Sequence, residues 1–152
     1  MHISWSFLDK RKAAIEAICA YKQMDFIIKH TDDDIRRVEA KMEGVGSPKI
    51  DGMPHCQNPA AGEERMISCI EEIDMLKERY RQAVEYMNWF KPVWNQLSDD
   101  DQFVLDAFFM NDEEEFDAAD VIAEHFGIER ASAYNRRKRA IERVTTLLYG
   151  RF

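Results

Sequence analysis

Phe7, Ala14, Tyr21, Ile28, Ile35 and Met42 fall seven residues apart, and Ala17, Met24, Thr31 and Val38 lie three positions after the second to fifth of them. A stripe of that period runs along one face of an α-helix and predicts an arm over about residues 5–43. Thr31 followed by Asp32, Asp33 and Asp34 is also the pattern of a helix cap, so the same residues are compatible with a break there. A second stripe pairs Met66, Ile73, Tyr80 and Met87 with Cys69, Leu76, Ala83 and Phe90, predicting an arm over about 63–91 that Pro92 ends or kinks.

Between the arms the pattern stops. Four of the six glycines and three of the four prolines fall between Gly44 and Gly62, so residues 44–62 are expected to form a long loop. Two arms joined in this way can fold back as an antiparallel hairpin, each roughly 40–55 Å long at 1.5 Å per residue. Periodicity leaves open whether the stripes bury one another within a chain or pair two chains.

The third segment starts near Leu97. Ser98 is placed to cap a helix, with Asp99, Asp100 and Asp101 in the first turn where the helix dipole favours negative charge. Val104, Leu105, Phe108 and Phe109 supply its buried face, and Asn111 to Glu115 is a polar break. A short helix follows over about Asp117 to Phe126, Gly127 ends it, and a last helix runs from about Arg130 to Tyr149. No segment alternates as a strand would. The expected fold is all-α: a long antiparallel helical hairpin over 1–96, then a helix-turn-helix domain over 97–152.

The helix-turn-helix expectation rests on residues 119–143. Ala123 is the small residue where two helices would cross, Gly127 can take the left-handed turn conformation, and Ile122, Phe126 and Ile128 bracket the turn. Ala133 is the small inward residue of the second helix. A helical hairpin that merely contains a glycine turn is the plainer alternative.

Composition changes the picture in one respect. The 152 residues carry 21 basic and 29 acidic side chains, a net charge of −8, with 11% aromatics, which suits a folded acidic protein. No apolar run approaches the roughly 18 residues that span a bilayer, and MHISWSFLDKRK lacks the apolar core of a signal peptide. Neither a membrane protein nor a secreted precursor is therefore expected. Cys19, Cys56 and Cys69 form no CxxC pair and read as reduced thiols of a cytoplasm. His30, His55 and His125 are scattered, and the common nucleotide, hydrolase and zinc-protease signatures are absent. No catalytic residue, cofactor or metal site is assigned, and the chain is not expected to be an enzyme.

Charge is nonetheless sorted along the last segment. From Ser98 to Gly127 there are eleven acidic residues and no Lys or Arg, whereas Ile128 to Phe152 holds seven basic residues against Glu129 and Glu142, a balance of +5. A phosphate backbone responds to that local charge more than to the global value. On a helical wheel with Ala133, Ala140, Val144 and Leu147 inward, Asn135, Lys138, Arg139 and Glu142 point outward. Ser132, Tyr134, Asn135 and Lys138 are the candidates for base edges or nearby phosphates, and Arg136, Arg139 and Arg143 suit phosphates. Arg137 falls near the buried stripe and is expected to form a structural salt bridge with one of the preceding acidic helices.

These residues resemble a known family. ASAYNRRKRAIERVTTLLYG looks like the carboxy-terminal signature of phage-encoded ArpU-like and RinA-like late transcription regulators, and SPKIDGMPHC resembles a loop of the same proteins. Residues 97–144 are also similar to sigma-factor region 4, with Ile128, Arg130, Ser132, Arg136 and the Arg139–Ala140 pair on matching positions. Glu129 departs from that pattern where a Ser or Thr usually caps the recognition helix, and Arg137 where a leucine is usual. The resemblance implies a phage or prophage DNA-binding regulator, an activator that works with host RNA polymerase, and adds Arg130 to the DNA-contacting candidates. Double-stranded DNA is the expected partner, with the heptad arms available for homo-oligomerisation. Two alternatives use the same elements: a DNA-recognition subunit of a phage packaging machine, and a helical protein-interaction module that does not bind DNA.

Overall fold

The computed structural model describes residues 9–44, 59–111 and 117–150. They form five α-helices, and no strand occurs among them: α1 (Lys10–Gly44), α2 (Pro59–Gln96), α3 (Asp99–Leu105), α4 (Ala118–Phe126) and α5 (Arg130–Tyr149). The all-α expectation holds. None of these helices is long and apolar enough to cross a membrane. Contacts divide the chain into two compact units, one from the described residues of Met1–Met24 and Tyr86–Phe152, the other from those of Asp25–Glu85.

The structure decides two points that the sequence left open in the arms and corrects a third. There is no break at Thr31: its buried hydroxyl donates to the Ile27 carbonyl at 2.5 Å, satisfying itself within α1 instead of capping a new helix. Asp33 and Asp34 are taken up by Arg36 and Arg37 one turn later. Pro92 does not end α2, which continues to Gln96. An internal proline costs about 3 kcal/mol, and the buried Phe90 and Leu97, with Val93 and Trp94 packed beside them, hold the helix together across it. Finally, α2 begins at Pro59, inside the expected loop, because proline fits the first turn of a helix, where no amide hydrogen is needed. Residues 45–58, with Met53, His55 and Cys56, lie outside the described residues.

In the unit Asp25–Glu85 the core is small: Val38, Cys69 and Leu76, with Ile35, Met42 and Ile73 packed against them. The other unit has the larger core. Ala14, Ala17 and Ile18 of α1, Phe90 of α2 and Leu97 just beyond it meet the buried faces of α3, α4 and α5 there. The Tyr86 hydroxyl donates to the Ala17 carbonyl, and burial raises the pKa of that phenol.

Local chemistry sets the last three helices. Ser98 Oγ accepts from the Asp101 amide at 3.3 Å and caps α3, as its position predicts. After Leu105 the helix widens into a π-turn over Asp106–Met110, which carries Met110 inward and leaves Phe108 and Phe109 only partly buried. Asp117 caps α4 by accepting from the Ala119 amide at 2.9 Å. At the far end Gly127 takes φ 62° and ψ 41°, the Ile128 amide donates to Ala123 at 2.9 Å and the Gly127 amide to Glu124 at 3.3 Å, a Schellman ending.

A Cβ at Gly127 would meet nothing within 4 Å, so the cost of a side chain there is purely that of the left-handed backbone. Gly127→Ala is expected to destabilise the protein by about 1–2 kcal/mol, and Gly127→Asn by less, because asparagine tolerates that conformation. Equal urea midpoints for the two variants would overturn this account.

Candidate nucleic-acid interface

α5 is buried along Ala133, Ala140, Ile141, Val144, Thr145 and Leu148. The expected inward stripe is therefore corrected at its end, where Leu147 is 41% exposed and Leu148 is buried in its place. A wheel centred on Ala133 and Ala140 brings Leu147 inward and turns Leu148 aside, and the buried face is rotated from that centre. The buried centre lies on the Ile141 side of Ala133, which turns Asn135, Arg139, Glu142 and Arg143 to the exposed side.

Five of the eight candidate residues line one surface concavity of about 300 Å³: Ser132, Asn135, Arg136, Arg139 and Arg143, with Asp101, Val104 and Ile128 completing it. Lys138 joins Asn135, Arg139 and Glu142 around an adjoining depression. Tyr134 and Arg130 line neither. The Tyr134 ring lies 5.7 Å from that of Phe108.

The cations divide by what holds them. Arg130 bridges Asp117 and Asp120, the latter at 2.9 Å, and so ties the start of α5 to the start of α4. The Ala119 amide, followed by Arg130, holds the Asp117 carboxyl below the usual carboxylate range, so that clamp is ionised at neutral pH. Arg143 pairs with Asp101, whose side chain is only 11% exposed, and this joins α5 to α3. The Arg136 guanidinium stands over the Phe126 ring, 4.1 Å from its centre, a contact that fixes the direction of the side chain. Lys138 and Arg139 are exposed and have no ion-pair partner among the described residues.

The salt bridge expected for Arg137 is not formed among the described residues. Its guanidinium stands 4.9 Å from the centre of the Phe108 ring and 5.0 Å from that of Tyr134. A planar, weakly hydrated cation can be half-buried against aromatic faces at less desolvation cost than in an apolar pocket, and that takes the place of an acidic partner. Glu129 precedes α5 in extended geometry, and its side chain makes no capping bond. The ion pairs of Arg130 and Arg143 and the ring contact of Arg136 escape a reading of sequence, because their partners lie 13, 42 and 10 residues away. The excess of carboxylates between Ser98 and Gly127 was the only available signal.

No cluster of His, Cys, Asp and Glu able to hold a metal ion occurs among the described residues. Of the cysteines described, Cys19 is exposed and Cys69 buried, both as free thiols. Compared with known proteins, the chain matches no family model, no curated protein and no solved structure.

Proposed function

We propose that α3, α4 and α5 act as a helix-turn-helix of the sigma region 4 kind, with α5 as the helix that enters the major groove of duplex DNA, and that the protein is a phage or prophage transcription regulator. The observation that carries this reading is the concavity along α5, where Ser132 and Asn135 stand among Arg136, Arg139 and Arg143. Hydroxyl and amide groups among cations are the combination needed to hold phosphates and read base edges together. The left-handed Gly127 turn immediately before α5 and the residues shared with sigma region 4 support the same reading. We read α1 and α2 as an antiparallel hairpin, supported by the 3.9 Å approach of Lys41 to Glu72 and by the packing of Val38 with Cys69 and Leu76. Host RNA polymerase is the proposed second partner, on the strength of the resemblance.

Within this reading Lys138 and Arg139 supply the free phosphate-binding charge, while Arg130 is chiefly a clamp between helices. Selection of bound duplexes from sheared DNA, followed by salt titration of the selected site, tests it. Lys138→Ala with Arg139→Ala should lower the slope of log K against log salt by about 1.8, the loss of two phosphate contacts. Arg130→Ala should leave the slope unchanged. No enriched duplex, with or without polymerase, would refute the proposal and favour a protein-interaction module.

A further inference from the structure

The unit Asp25–Glu85 buries very little of its apolar surface. Cys69, Leu76 and Ala83 are buried along one line of α2, but Met66 is 36% exposed, Ile67 55%, Ile70 46% and Tyr80 40%. With Ile73 and Val84, both half-buried, these form a second stripe at helical spacing on the same helix. The heptad places Met66 and Tyr80 in the seam with α1, yet both remain open to solvent. Two helices side by side leave each other's outer apolar flank bare, and a four-helix arrangement is the usual way such flanks are covered.

We infer that this stripe of α2 pairs antiparallel with the same stripe of a second copy of the chain. Charge along the helix favours that occupant. Between Glu63 and Asp74 five carboxylates accompany one arginine, whereas between Met75 and Glu85 three basic side chains outnumber two carboxylates. Antiparallel self-pairing about a twofold axis that crosses the stripe at the level of Met75, which itself faces away, sets the acidic half of each helix against the basic half of its mate. A parallel pair would set the acidic halves against each other. In that register Ile70 lies opposite Tyr80 of the second copy and Met66 opposite Val84. Lys77, in the middle of the stripe, comes within reach of Asp74 of the second copy, and the contact is repeated by symmetry.

The inference does not depend on α5 meeting DNA, and its test uses the whole chain without DNA. Sedimentation should give twice the 17.9 kDa chain mass at micromolar concentration. Ile70→Glu should weaken association by about 30-fold or more while keeping the helical circular dichroism. Met75→Glu, an exposed methionine on the opposite side of α2, should not weaken it. Asp74→Lys and Lys77→Asp should each weaken the dimer, and the two together should restore it. A monomeric wild type would overturn the inference, as would an Ile70→Glu variant that still dimerises. A double variant no tighter than either single one would overturn the antiparallel pairing.

Discussion

Phe90→Ala is expected to cost about 3–5 kcal/mol, the range for removing a large aromatic side chain from a core that does not collapse around the cavity. Phe90 is completely buried. Its ring stacks on Tyr86 at 5.4 Å, and the rings of Tyr21 and Trp94 lie 5.7 and 6.0 Å away, so α1 and α2 both lose contacts when it is truncated. The urea midpoint should fall with the m-value unchanged. Phe26→Ala, which removes a ring that is 59% exposed, should change stability by less than about 0.5 kcal/mol. Comparable losses from the two substitutions would show that Phe90 is not the centre of this core.

The second large effect separates two arginines that sequence alone treats alike. Arg143→Ala is expected to destabilise the protein by about 1–3 kcal/mol, because it leaves the carboxylate of Asp101 with little access to water and without its ion-pair partner. The value should lie toward the lower end, since the arginine side chain is itself 57% exposed. Arg139→Ala should be nearly neutral in stability. Converting Asp101 to Asn in the Arg143→Ala background should recover part of the loss, because the charge left behind would be gone, and the double-mutant cycle measures the coupling directly. Equal thermal midpoints for the wild type and Arg143→Ala would refute the role assigned to this pair.

Helix boundaries were largely legible because they depend on neighbours in sequence. Ser98, Asp117 and Gly127 act on amides and carbonyls within five residues of themselves, and α5 has the bounds that its sequence pattern predicts. Burial on the α2 stripe was half legible. The line through Cys69, Leu76, Ala83 and Phe90 is buried as its period requires, but the companion line through Met66 and Tyr80 is not, because periodicity reports that a face is apolar and not what covers it. The π-turn after Leu105 left no signature, since it arises from fitting Met110 into a core built from four other helices. On α5, composition and the wheel located the cationic residues, yet they could not tell an arginine engaged by a distant carboxylate from one that is open to solvent.

Propensity, capping and charge content act over a few residues, so the sequence alone shows that this chain is helical, where α3 begins, where α4 and α5 begin and end, and that positive charge is concentrated on the last helix. It took contacts between distant parts of the chain to carry α2 past Pro92, to bury Leu148 instead of Leu147, and to engage Arg130 and Arg143 with carboxylates while Lys138 and Arg139 stand free of ion pairs among the described residues. Those outcomes turn on which side chains meet across tens of residues of chain, and each was settled by burial and pairing energies that no local pattern encodes.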